Sequence, residues 1–216
     1  MRFTNRFEGR VALLTGSAAS AKGELMGFGG ATAWRFLEEG GRGVVITDVQ
    51  DDVGERAAKR MRDAGHDALF LHLDVTEEQE WSTVVEATLT HFGRLDILVN
   101  IAGILDPQSI LDIEPDAWKK TMEISTVGIF LGTRAVALPM EQSGGGAIVN
   151  LGSIGWMIKD PIFPAYAAAK AAIEGLTRVM ARELGPDKIR VNSVVPGWIM
   201  TERQLALWVT PEAQAN

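Results

Sequence analysis

Residues 10–36, RVALLTGSAASAKGELMGFGGATAWRF, join a short apolar strand, Arg10–Thr15, to a helix, Phe28–Glu39, through a glycine-rich turn. Glycines in such a turn let the backbone approach a pyrophosphate, and the first-turn N–H groups and dipole of the helix supply positive charge. A carboxylate is expected at the end of the following strand, about 20 residues further on. Asp48 closes the run Gly43–Asp48 (GVVITD), 19 residues after Gly29. At that position it can accept hydrogen bonds from both hydroxyls of an adenosine ribose and repel a 2′-phosphate, which favours NAD over NADP. The competing reading of Asp48 is a helix cap.

Outward from this unit the pattern keeps alternating. Val53–Ala64 reads as helix, Asp67–Leu73 as strand, Glu77–His91 as helix and Leu95–Asn100 as strand. A long helix over Pro115–Met140, a strand over Gly146–Leu151, a helix over Ala165–Leu184 and a strand over Ile189–Val195 follow, with a short helix near Glu202–Trp208. Strands alternating with helices predict an α/β fold, a doubly wound parallel sheet of Rossmann type in the order 3-2-1-4-5-6. No linker or repeat interrupts it, so residues 1–216 are expected to form one dinucleotide-binding domain.

A second stretch carries chemistry. Residues 153–170, SIGWMIKDPIFPAYAAAK, leave the fifth strand and enter the fifth helix. Tyr166 and Lys170 are four apart, so they share a helix face. A nearby ammonium favours the phenolate and lowers the pKa of a phenol from its usual ~10. The Ser153 hydroxyl, at the ligand-facing exit of the strand, can hold a substrate oxygen beside that phenol. Together the three can move a proton to or from a C–O group while a hydride moves at carbon. A Tyr-x-x-x-Lys alone reads first as a packed tyrosine with a solvated lysine; the serine 13 residues upstream, after a strand, turns the reading toward catalysis.

Composition narrows the partners. The 216 residues are 46% hydrophobic and 23% charged, ordinary for a globular domain. A net charge of −7 argues against nucleic-acid or anionic-membrane surfaces. There is no cysteine, so thiolate metal sites and disulfides are excluded, and His66, His72 and His91 are scattered as surface or edge residues; no metal is expected. With no run of transmembrane length and no signal-peptide core in MRFTNRFEGR, the expected location is the cytoplasm.

Taken together, these residues resemble the short-chain dehydrogenase/reductase family over essentially the whole chain. Thr15-Gly16 with Gly27-Phe28-Gly29 is similar to the family's cofactor loop. Asp74-Val75 resembles the pair that contacts adenine, and Asn100-Ile101-Ala102-Gly103 resembles the segment that supports the sheet and lies along the cofactor. Ser153, Tyr166 and Lys170 match the catalytic set, and Pro196-Gly197, Ile199 and Thr201 the segment that clasps the nicotinamide end. The resemblance implies Tyr166 as general acid/base, Ser153 as orienter of the reacting oxygen, and Lys170 as the group that binds the nicotinamide ribose and tunes Tyr166. It also implies a homodimer or homotetramer through the apolar stripes of the two long helices.

Three departures from the family pattern stand out. Ala21–Met26 lengthens the cofactor loop by six residues, and Gly23 is an alternative middle glycine. Ser125 stands where the family places an asparagine that supports a water relay to the catalytic lysine. The chain stops at Asn216, where family members continue with a further helix and a seventh strand, so its end is expected to be incomplete. Trp156, Trp198 and Trp208 fall on loops expected to line the substrate pocket, either as lid packing or as a wall for a sugar or flat apolar ring. The expected activity is interconversion of a secondary alcohol, a sugar or a cyclic alcohol, with its carbonyl; the alternative is a non-catalytic NAD-binding or scaffold protein.

Overall fold

The computed structural model describes residues 5–19, 26–158 and 162–199. Near-continuous apolar runs become the strands, as expected where a parallel sheet is covered on both faces. These are β1 (Val11–Leu14), β2 (Gly43–Asp48), β3 (Ala68–His72), β4 (Ile97–Asn100), β5 (Gly146–Leu151) and β6 (Ile189–Val194). They form one sheet in the order β3-β2-β1-β4-β5-β6, with every neighbouring pair parallel. The order reverses at β1, between β2 and β4. That opens a crevice at the carboxyl ends of the strands, where the loops of both halves meet.

The helices are α1 (Phe28–Glu38), α2 (Asp51–Asp63), α3 (Glu78–Phe92), α4 (Pro115–Met122), α5 (Gly128–Gln142) and α6 (Pro164–Leu184). Alternation along β1 divides the core between the two faces of the sheet. Val11 and Leu13 pack with Trp81, Phe92, Val136 and Ile173 from α3, α5 and α6. Ala12 and Leu14 pack with Trp34, Phe36, Ala58 and Met61 from α1 and α2.

The long helix expected over Pro115–Met140 is not uniform. A five-residue π segment, Glu123–Val127, separates α4 from α5, and the helical run extends to Gln142. One widened turn re-aims the helix with little trace in the apolar pattern, and such segments recur at functional sites. Pro115–Gln142 is apolar enough to pass for a membrane span by length and composition, contrary to the expectation that no run approaches that length. Ile129, Leu131, Val136 and Met140 of α5 nevertheless lie in the core against the sheet. The predicted helix near Glu202–Trp208 lies outside the described residues.

Candidate active site

The crevice is a groove of ≈ 970 Å³ that runs across the carboxyl ends of the strands. At one end the β1–α1 loop meets the β4 exit. Gly16 has φ +59°, and a Cβ there would lie 2.7 Å from Ala102 Cα, so only glycine lets the two backbones pass. Thr15 Oγ1 accepts from both Ile101 N (3.0 Å) and Ala102 N (3.1 Å) and fastens the loops together. Gly16, Gly27, Phe28, Ala102 and Gly103 line the groove, whereas Gly29 is buried in the first turn of α1 against Ser17. Among the described residues no side chain caps α1 at Gly27, and the first turn of that helix begins at the groove. Most of the insert Ala21–Met26 lies outside the described residues; Met26 packs against the α1–α2 core.

Asp48 lines the groove as the spacing predicts. Its Oδ2 accepts from Ala18 N (3.1 Å) and its Oδ1 from Gln50 N (3.2 Å), which fixes the carboxylate at the edge of the glycine turn. Asp74 and Val75 form the neighbouring wall. The Asp74 side chain also turns the chain into α3, because Oδ1 accepts from Thr76 N (2.9 Å) and Thr76 Oγ1 (2.7 Å).

At the other end, Ser153, Tyr166 and Lys170 come together. Gly152 N donates to Val194 O (2.8 Å) and Ile154 N to Pro196 O (3.0 Å), so the exits of β5 and β6 are held side by side. Pro164 at the first turn starts α6 and places Tyr166 on the groove. Ser153 Oγ accepts from Gly155 N at 3.0 Å and keeps its proton free to donate. A Cβ on Gly155 would lie 3.3 Å from Ser153 Oγ and 3.2 Å from Tyr166 Cε1, so both groups flank one glycine. Sequence reading passed over Gly155, since nothing in SIGW marks it as the spacer between two side chains.

Lys170 is 4% exposed. Its Nζ donates to Leu151 O at 2.6 Å and lies 5.5 Å from the centre of the Tyr166 ring. Burial lowers its pKa from 10.5 to about 8. Pro196, Gly197, Trp198 and Ile199 close the groove over this end; Thr201 lies outside the described residues.

Other expected site residues sit away from the groove wall. Asn100 is buried, and its Nδ2 donates to Asn150 Oδ1 (2.9 Å), while Asn150 Nδ2 donates to Thr177 Oγ1 (3.0 Å). Its side chain therefore ties β4, β5 and α6 together. Ser125 is fully buried in the π segment, and its Oγ has no hydrogen-bond partner among the described residues. A Cβ on Gly103 would lie 3.7 Å from Ser125 Oγ and 3.8 Å from Lys170 Nζ, so the hydroxyl and the ammonium face one glycine. Of the three tryptophans, Trp198 lines the groove; Trp156 is exposed on the turn beside it, and Trp208 lies outside the described residues.

Residues 23–215 match the family model described as enoyl-(acyl carrier protein) reductase. The chain is 40% identical over 206 residues to trans-4-hydroxycyclohexanecarboxylate dehydrogenase of Sinomonas cyclohexanicum, covering 93% of this chain and 76% of that protein. It is 38% identical over 198 residues to 3-alpha-(or 20-beta)-hydroxysteroid dehydrogenase of Mycobacterium bovis, covering 92% and 72%. Among solved structures, NAD+-bound xylitol dehydrogenase aligns with a TM-score of 0.84 at 31% identity, over 92% of this chain and 74% of that one. A gluconate 5-dehydrogenase from Burkholderia cenocepacia in complex with NADP and tartrate aligns with a TM-score of 0.86 at 32% identity, over 97% and 80%.

Proposed function

We propose, for a chain that belongs to the short-chain dehydrogenase/reductase family, an NAD-dependent interconversion of an alicyclic secondary alcohol and its ketone, with Tyr166 as the acid/base. Family membership rests on the model spanning residues 23–215 and on relatives 40% and 38% identical. An oxidoreductase acting on a CH–OH group follows from it; cofactor choice, mechanism and substrate are our reading. The observation that carries it is one groove with Gly16 and Asp48 at one end and Ser153, Tyr166 and Lys170 at the other.

The residues fit a dinucleotide. Gly16 without a Cβ, the first turn of α1, which has no side-chain cap among the described residues, and the fixed Asp48 carboxylate would hold the pyrophosphate and adenosine ribose. A nicotinamide held at the Lys170 end would supply the acceptor or donor of hydride. In the oxidative direction Tyr166, as phenolate, takes the alcohol proton. Ser153 donates to the same substrate oxygen and fixes its position. The Lys170 ammonium, 5.5 Å from the centre of the Tyr166 ring, sets positive charge beside that step.

The wall beyond the catalytic groups is apolar: Ile104, Leu105, Ile158, Phe163, Trp198 and Ile199. These side chains suit a hydrocarbon ring and, Lys120 apart, offer polyol hydroxyls no partner among the described residues of that wall, at a cost of about 1–3 kcal/mol for each unpaired polar group. It therefore favours the cyclic alcohol over the sugar. Relatives named for a hydroxycyclohexane and a hydroxysteroid substrate support the same choice. The test is NADH formation from NAD with a panel of cycloalkanols, hydroxysteroids and polyols. No turnover of any alcohol would leave a non-catalytic binding protein, and faster turnover of polyols would overturn the substrate reading.

A second copy of the chain is the proposed partner. Val127, Phe130 and Leu138 on the π segment and α5, and Val179 on α6, are exposed large apolar side chains. Light scattering on wild type and Phe130→Glu tests it: a wild-type mass of one chain overturns the reading.

A further inference from the structure

His72 stands beside Asp48 in the sheet. The two are paired where β2 meets β3, and Leu73 N donates to Asp48 O at 3.1 Å. The imidazole bridges the two loops that form the Asp48 end of the groove. Its Nδ1 is 2.7 Å from Asp51 Oδ1, in the first turn of α2 and next to the groove residue Gln50. Its Nε2 is 3.8 Å from Glu80 Oε2 on α3, and that same oxygen accepts from Asp74 N at 2.6 Å. The charged groups that face the ring are thus Asp51 from α2, Glu80 from α3 and Asp74 from the loop before α3, with Asp48 alongside on β2. All four are carboxylates.

We propose that His72 tunes cofactor choice: with the ring neutral, the acidic rim rejects a 2′-phosphate at full strength, and with the ring protonated that rejection weakens. The inference rests on Asp48 receiving the adenosine ribose. A 2′-phosphate would then enter the field of Asp48 and Asp51 together, and the only titratable cation bridging that rim among the described residues is His72. The hydrogen bond to Asp51 is the main influence on the ring; with the fields of Asp51, Glu80 and Asp74 it outweighs partial desolvation and raises the pKa above 6.5. The ring therefore holds its proton to higher pH than a free imidazole does. Because the pairs are solvent-exposed, the effect is modest and salt-sensitive.

The experiment measures dissociation constants of NAD and NADP for the full chain and for His72→Gln, from about pH 6 to about pH 9 at low ionic strength. The 2′-phosphate itself titrates near pH ~6, as phosphomonoesters do, but equally for both proteins. The expected result is that the NADP-to-NAD ratio of constants narrows toward acid by about threefold more in the wild type than in His72→Gln, and that the excess shrinks with added salt. Parallel profiles with NAD still preferred overturn the role of His72 and leave the Asp48 reading standing. No preference for NAD at any pH in either protein overturns the Asp48 reading, and this inference with it.

Discussion

The Lys170 ammonium is shared between the last residue of β5 and the phenol one helical turn before it: Nζ donates to Leu151 O at 2.6 Å and lies 5.5 Å from the centre of the Tyr166 ring. The strand end therefore positions the cation beside the tyrosine. Sheet and α6 are tied through one buried charge.

Tyr166→Phe keeps the ring that packs near Phe163 and Gly155 but removes the proton carrier. Turnover should fall by far more than tenfold while NAD binding stays nearly intact. Steady-state kinetics alongside a binding titration check this. Retention of more than a tenth of the rate, a loss under ~1.4 kcal/mol, would remove Tyr166 from the acid/base role.

Lys170 is held charged at a cost. Its pKa falls from 10.5 to about 8, so between those values the unfolded chain binds more protons than the native one and stability rises with pH. Below that window both states are protonated and the native state carries the full penalty, on the order of 3 kcal/mol. Lys170→Met should raise Tm at neutral pH, flatten the rise above pH ~8 and abolish turnover. Calorimetry across that range decides; an unchanged pH slope sinks the assignment.

On the proposed NAD reading, Asp48→Ala should weaken NAD binding and strengthen NADP binding, because a carboxylate there repels a 2′-phosphate as well as attracting ribose hydroxyls. The variant also loses acceptors for Ala18 N and Gln50 N, so its Tm should drop as well. Titration with both dinucleotides is the measurement. Equal affinities in the wild type, or no gain for NADP in the variant, contradict the reading.

Ser125→Ala separates packing from chemistry. The hydroxyl has no protein partner among the described residues, so its loss should shift Tm by only about 1–2 °C. If Ser125 serves proton traffic near Lys170, kcat should fall severalfold with KM little changed. An unaltered kcat takes Ser125 out of the catalytic set.

Much of this was legible in the chain. Apolar runs such as GVVITD announce buried parallel strands, and Asp48, Ser153, Tyr166 and Lys170 advertise themselves by residue type and spacing. What escaped reading depends on neighbours that only the folded sheet supplies. Asn100 could not be assigned to Asn150 without the β4–β5 register. His72 could not be set beside Asp48 without knowing that β3 flanks β2. The π segment around Ser125 escaped because one widened turn barely disturbs a helical apolar stripe.

The amide chain from Asn100 through Asn150 to Thr177 has a consequence for descent. Replacing any one member with an apolar residue strands a dry donor or acceptor on the next, so the single-step neighbours of this sequence are worse than the double ones. The three positions should therefore drift together or not at all. Any lineage that recasts them must cross a dip in fitness, and during that crossing the helix carrying Tyr166 and Lys170 loses its polar tie to the middle of the sheet.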